Sequence, residues 1–326
     1  MDVILPVAGL GSRLRPQTWT KPKPLVSLAG KPILEHVIDR VLPLNPSRLV
    51  FITGFLGEQV VDWATARYPD LELAFVHQPV MKGQTDAIVR TRDIVSGDAL
   101  ILFPDMLFET DWSPIQRADA DGVMFTKEVE DPSALGVAVL DRDGYITKLV
   151  EKPRSFVSNL AVIGIYYIKE MPRLFAAIDE QIERNISLKG EYFIADAIQL
   201  MIDDGSKIIT GPVTEWEDAG NVPSLLASNR WALDRMPQRE ERRASCAIIQ
   251  PSIVHATATV ERSVIGPYAC IGANAIVRDS VIGDAVIEDN AKITQAILEN
   301  TLVGRRASVT GRALGLNVGD DSSVNL

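Results

Sequence analysis

Directly after the apolar run Val3-Ile4-Leu5-Pro6-Val7 stands Ala8-Gly9-Leu10-Gly11-Ser12-Arg13-Leu14-Arg15-Pro16. Glycines in such a place let backbone N–H groups approach a phosphate closely. Lys21, Lys23 and Lys31 follow, and no acidic residue occurs from Val3 to Leu34. This is chemistry for a strongly anionic ligand, set as a local positive feature on a chain of net charge −10. A dinucleotide fingerprint is excluded because Leu14 stands where its third glycine would fall, and a P-loop because Gly-Lys-Ser/Thr is absent. Gly9-x-Gly11 alone fits a plain strand-to-loop turn equally well. Farther on, Asp105 follows the apolar Leu100 to Phe103, Glu151-Lys152 precedes Pro153, and Asp218 lies in Trp216-Glu217-Asp218-Ala219-Gly220.

Taken in order, these segments resemble the sugar-1-phosphate nucleotidylyltransferases, or NDP-sugar pyrophosphorylases. Their G-x-G-T-R-L-x-P-x-T-x₃-P-K pattern is matched from Gly9 to Lys23, with Ser12 in place of Thr. His77-Gln78-Pro79 and Gly83-Gln84-Thr85-Asp86-Ala87-Ile88 resemble the base-reading segment, with Gln84 where Thr is common. Pro104-Asp105 resembles the family's Gly-Asp, Val150-Glu151-Lys152-Pro153 its V-E-K-P, and Ser158 to Tyr166 the strand lining the sugar pocket. The resemblance spans the whole chain. It implies nucleotide binding by Ala8, Gly9, Gly11, Ser12, Arg13, Gln78 and Gly83. It implies sugar-phosphate binding by Gly136, Glu151, Lys152, Asn159 and Val162, and magnesium ligation by Asp105 and Asp218.

The implied reaction is attack of a sugar-1-phosphate oxygen on the α-phosphorus of a nucleoside triphosphate, with pyrophosphate leaving in line. Two anions must meet, so catalysis is alignment and neutralisation. Arg13, Lys23, Asp105 and Lys152 would carry it. The nucleophile is already an anion, so no general base is needed. Glucose-1-phosphate with dTTP or UTP is the expected pair; mannose-1-phosphate guanylyl transfer is an alternative. A catalytically dead nucleotide-sugar-binding regulatory paralogue is another, though it would be free to lose Arg13, Lys23, Asp105 or Asp218, and all four are present.

These residues need an α/β frame to hold them. Apolar runs at 3–7, 49–52, 73–76 and 100–103 alternate with helical patterns at 33–38, 58–67 and 85–94, which predicts a Rossmann-like, mostly parallel sheet. Strands at 122–125, 137–140, 146–150 and 162–168 come with fewer helices and predict an antiparallel portion; helices return at 192–202 and 222–234. After the charged segment 237–243 the grammar changes. Aliphatic residues at 260, 265, 271, 277, 282, 287, 293, 298, 303 and 309 step by five or six, each with a small residue two positions earlier. This is the hexapeptide repeat of a left-handed parallel β-helix, three coils and a little more. The expected domains are a nucleotidyltransferase domain over 1–236, a linker over 237–245 and a β-helix over 246–326.

His255, outside the clear rungs, reads as a residue at the domain edge rather than an acetyltransfer base. The β-helix reads as a non-catalytic module supporting a homo-oligomer, so that a chain cut after Arg235 would keep some transfer activity. The chain has 326 residues and 46% apolar composition, enough for two cores. Its acidity argues against nucleic acid as a partner. No apolar run reaches the roughly 18 residues that span a bilayer, and no signal peptide is read at the start. Cys246 and Cys270 cannot build a disulfide framework, and the cytoplasm is the expected compartment.

Overall fold

The computed structural model describes residues 1–237, 243–312 and 316–325. Most of the proposed linker, 238–242, lies outside the described residues.

Strands between residues 2 and 218 build a mixed ten-stranded sheet. Its parallel part comprises β1 (Asp2–Pro6), β4 (Arg48–Thr53), β5 (Leu73–His77) and β6 (Ala99–Leu102), in the order β5-β4-β1-β6. Between β1 and β4 lie the short paired strands β2 (Ser27–Leu28) and β3 (Lys31–Pro32). Beyond β6 come β11 (Leu160–Ile168), β8 (Gly122–Glu128), β12 (Ile208–Asp218) and β7 (Met106–Thr110), with the hairpin β9 (Gly136–Leu140) and β10 (Ile146–Glu151) attached. β11 runs antiparallel to both β6 and β8, as the thinning of helices in the sequence implied. The strands nearest the centre read as unbroken apolar runs because both faces are covered; Val3, Ile4, Leu49, Val50, Leu100 and Ile101 are fully buried.

The helices are α1 (Ile33–Val41), α2 (Gly57–Arg67), α3 (Gln84–Val89), α4 (Met171–Glu183), α5 (Ile194–Asp203) and α6 (Val222–Arg235). Pro32 ends β3 and directly precedes α1. α3 is shorter than its apolar pattern. Thr91 donates both its backbone N–H (3.0 Å) and its hydroxyl (2.7 Å) to the Ile88 carbonyl, tightening the chain into turns. α4 was not anticipated, although Leu174, Phe175, Ala177 and Ile178 mark a buried helical face.

From residue 247 onward short parallel strands wind into a β-helix. All ten aliphatic positions of the repeat are buried, from Val260 at 7% exposure to Val309 at 0%. They stack in columns through parallel pairing: Val254–Ile271–Ile287–Val303–Val318, Ile248–Ile265–Ile282–Leu298, and Val260–Val277–Ile293–Val309–Val324. The solenoid is therefore longer than the ten positions read in the sequence, because Ile248, Val254, Val318 and Val324 continue the columns.

The chain forms two compact units that do not follow the expected 236/246 boundary. One comprises residues 1–9, 39–104 and 108–216; the other comprises 10–38, 105–107 and 217–326. The first has its own core, in which Ile4, Ile101, Met124, Leu174 and Ile198 pack together. In the second, α6 and the N-terminal loop share a core with the β-helix. Leu14, Val26, Leu28, Leu225 and Leu226 pack with Cys270, Val286 and Leu302.

Candidate active site

The glycine loop leaves the carboxyl end of β1, where parallel sheets present ligand sites. Ala8 is buried against Gly54, where any side chain would meet it, whereas Gly9 faces open space. Past Gly9 the loop belongs to the unit that contains the β-helix. Gly11 has φ +60°, and a Cβ there would fall 2.8 Å from Lys23 Cβ and 3.1 Å from Thr18 Cγ2. Thr18 donates its hydroxyl to the Gly11 carbonyl (2.8 Å). Only glycine suits this turn, which brings the backbone beside Lys23. Ser12 and Arg13 are exposed.

Four of the expected residues converge within that unit. Lys23 Nζ lies 3.0 Å from Asp105 Oδ2. The Asp105 carbonyl accepts from Ala219 N–H at 2.9 Å, which fixes Asp105 beside the end of β12. A Cβ on Gly220 would lie 2.8 Å from Asp218 Oδ1 and 3.1 Å from Arg13 Nη2, so this glycine admits both charged groups to one point. Ser224 donates its hydroxyl to Asp218 Oδ2 (2.7 Å), and Ser228 donates to the Asp218 carbonyl (2.7 Å). Pro104 in place of glycine leaves Asp105 in this arrangement.

Among the described residues no group of three or more His, Cys, Asp or Glu side chains could hold a metal unaided. Asp105 and Asp218 are hard oxygen donors of the kind a divalent cation takes in ones or twos, with water and phosphate oxygens completing its shell. The other cations of the basic segment have other work. The Arg15 guanidinium lies 3.8 Å from the Trp19 ring centroid, and Lys21 pairs with Glu288.

The other unit carries the remaining residues. Gly136 pairs with Glu151 across the β9–β10 hairpin, and a Cβ at 136 would stand 2.8 Å from Glu151 Oε2. Lys152, at φ +47°, turns its ammonium 3.7 Å from Glu151 Oε1 and 5.6 Å from the Phe193 ring centroid. Burial pushes the Glu151 carboxyl above the usual carboxylate range; Lys152 opposes this and Asp196 adds to it. Burial raises Asp196 as well.

Glu151 and Lys152 line a cavity of about 550 Å³ with Arg154, Lys189, Glu191 and Phe193. The last four were missed in the sequence. Their only signal was a cation before a turn glycine, Lys189-Gly190, with Gly190 at φ +81°. Asn159 and Val162 are not among the residues lining that cavity. Asn159 is exposed, and its carbonyl accepts from Val129 N–H at 3.0 Å. Val162 packs partly buried against the core.

Gln78 is 4% exposed and donates Nε2 to Asp86 Oδ2 at 2.8 Å, while Arg90 holds Asp86 at 3.1 Å. A carboxylate only accepts, so the Gln78 amide is oriented with its oxygen away from Asp86. Gly83, at φ +118°, lies so close to the Tyr192 backbone that a side chain could not fit. Gln84 faces elsewhere: its Oε1 accepts from Ile194 N–H (3.1 Å) at the start of α5. The departure from threonine thus serves α5.

The glycine loop thus leaves β1, Asp105 follows β6 and Asp218 ends β12. Residues 2–235 match the Nucleotidyl transferase family, and residues 233–322 match the GlmU-like C-terminal hexapeptide family. The chain belongs to the nucleotidyl transferase family and is a sugar-1-phosphate nucleotidylyltransferase.

Over 72% of its length it is 33% identical to the bifunctional protein GlmU of Methanocaldococcus jannaschii, of which the match covers 55%. It is 32% identical to the UTP–glucose-1-phosphate uridylyltransferase AglF of Haloferax volcanii, over 66% of this chain and 89% of that one. A glucose-1-phosphate thymidylyltransferase of Streptomyces antibioticus is 28% identical over 100% of this chain and 99% of the relative. Among solved structures, apo UDP-glucose pyrophosphorylase shares the fold, with a TM-score of 0.63 and 22% identity, covering 72% of this chain and 98% of that one.

Proposed function

We propose that this enzyme joins glucose-1-phosphate to dTTP or UTP, giving a nucleoside-diphosphate glucose and pyrophosphate, with Mg²⁺ as the cation. The observation that carries the reading is the gathering of Arg13, Lys23, Asp105 and Asp218 in one compact unit. Arg13 and Lys23 bind the triphosphate and steady the leaving pyrophosphate, the first as a planar fork and the second as a point charge. Asp105 and Asp218 hold the magnesium, which when bound neutralises charge on the reacting phosphates. In the other unit Lys152 receives the sugar phosphate and Glu151 accepts from sugar hydroxyls.

A phosphate monoester is largely dianionic at neutral pH, with a second pKa of about 6, so its oxygen attacks without a base. The oriented Gln78 amide supports the choice of base. Its oxygen, turned away from Asp86, accepts from an N–H on the base edge, which uracil, thymine and guanine have and cytosine and adenine lack at that place. Full-length similarity to a thymidylyltransferase supports glucose-1-phosphate over mannose-1-phosphate.

As sequence domains, set by the two family matches rather than by the compact units, we assign the nucleotidyltransferase to 1–236 and the β-helix to 246–326, joined by 237–245. The protein works in the cytoplasm, without nucleic-acid or membrane partners, as a homo-oligomer. Among the described residues no helix is long and apolar enough to cross a membrane. Val281 and Ile297, paired neighbours on one β-helix face, stay 44% and 43% exposed, which supports self-association. The test is a panel of nucleoside triphosphates against hexose-1-phosphates with magnesium, read by pyrophosphate release. Release should require both substrates and be greatest with glucose-1-phosphate and dTTP or UTP. Triphosphate hydrolysis without sugar phosphate, or inactivity across the panel, overturns the reading.

A further inference from the structure

The loop from Arg15 to Ser27 is held along its length by the β-helix, within one compact unit. Gln17 is 3% exposed and donates Nε2 to the Val318 carbonyl (2.6 Å), the Leu302 carbonyl (3.2 Å) and Asn317 Oδ1 (3.0 Å). Asn317 donates Nδ2 to the Arg15 carbonyl (3.1 Å). Arg305 donates to the Thr20 carbonyl (2.9 Å), and the Thr20 hydroxyl donates to Asp320. Lys21 and Glu288, 9% and 4% exposed, form a buried ion pair, and Glu288 Oε1 also accepts from Ser27 N–H at 2.9 Å.

Two β-helix glycines make room for the loop. A Cβ on Gly304 would stand 2.6 Å from Gln17 Oε1, and one on Gly319 would stand 2.9 Å from Pro16 Cβ. The held residues alternate with those of the site. Arg13 precedes them, Thr18 buttresses Gly11 from between Gln17 and Lys21, and Lys23 is two residues past Lys21.

We propose that the β-helix is part of the catalytic apparatus of this chain, with Glu288 and Gln17 as positioning residues that fix the phosphate-binding loop carrying Arg13 and Lys23. The inference rests on the reading that those two cations bind the triphosphate. Glu288 neutralises Lys21, and the anchored Gln17 and Lys21 flank Thr18 and precede Lys23, so the segment between Arg13 and Lys23 is fixed from the β-helix side. A buried ammonium stripped of its partner would pull toward water and take the loop with it.

The test uses the full chain with Glu288→Gln, which keeps shape and the Ser27 contact while removing the charge. Hydrogen exchange over residues 15–27 should accelerate about tenfold or more, with the amides of β4 and β6 unchanged. The KM for the nucleotide should rise about tenfold, with the KM for sugar phosphate within about twofold, because only the triphosphate clamp is loosened. Lys21→Met combined with Glu288→Gln removes the orphaned charge and should restore both readouts most of the way. If Glu288→Gln fails to fold, Gln17→Met replaces it and should show the same split.

Unchanged exchange over 15–27 overturns the inference whatever the reaction proves to be. Faster exchange with an unaltered nucleotide KM also overturns it. Faster exchange in a protein that consumes no nucleotide at all would instead indict the functional reading.

Discussion

At the scale of single residues, glycine spacing and charge pairing set the chemistry. Asp105→Asn and Asp218→Asn should each lower kcat about 10²-fold or more at saturating magnesium, measured by pyrophosphate release, with melting temperatures close to the parent. The reason is that, on the proposed reading, these carboxylates hold a cation rather than a core. Gly136→Ala places a methyl against Glu151 Oε2, 2.8 Å away, and should raise the KM for sugar phosphate about tenfold while the nucleotide KM stays within about twofold.

Glu151 and Asp196 bind their protons more tightly folded than unfolded. Their contribution is complete below the unfolded carboxylate range and is lost as pH rises through the raised folded values, so both cost stability at neutral pH. Glu151→Gln should therefore melt higher than the parent at pH 7 to 8. That advantage should vanish near pH 4, in a calorimetric series, while sugar-phosphate binding weakens. The separation of Glu151 from Gly136 in sequence hid the first effect. Burial, a property of the fold alone, produced the second.

At the scale of elements, α6 ties stability to the site. Asn221 Oδ1 accepts from Ser224 N–H (3.1 Å), and the Ser224 hydroxyl accepts from Asn221 N–H (3.2 Å) in a capping box, the same hydroxyl that donates to Asp218. Asn221→Ala should cost about 1 kcal/mol in urea titration. Most elements were legible because their apolar period matched their environment. The rungs were the clearest case, since each inward position admits one aliphatic side chain and nothing else. α4 was missed although its apolar face is regular, because the reading ran from the strand at 162–168 straight to the helix at 192–202. β7 and β12 were also missed; Thr110 and Thr214 bind across them through Pro212 and Glu109 carbonyls (2.6 and 3.1 Å), partners visible only once the strands pair.

At the scale of the whole molecule, the β-helix is no detachable tail. Leu302 is fully buried in the core that also contains Leu14, Val26 and Leu225, and Leu302→Ala should cost about 2–5 kcal/mol, read from thermal or urea unfolding. A chain cut after Arg235 would expose that core and leave Gln17 and Lys21 without partners. It should be insoluble or inactive, contrary to the expectation of residual transfer drawn from the sequence; soluble, active material would return the β-helix to the role of an appendage.

The sequence by itself determined the family and the β-helix and singled out Arg13, Lys23, Asp105, Glu151, Lys152 and Asp218 as candidates, because local spacing encodes strand ends, turns and rungs. Tertiary structure alone decided which charges are spent on each other. Lys21 and Glu288 look like surface residues in the sequence, 267 positions apart. They become a buried pair because a solenoid face with room at Gly304 and Gly319 meets a loop whose polar groups must be satisfied when water is excluded.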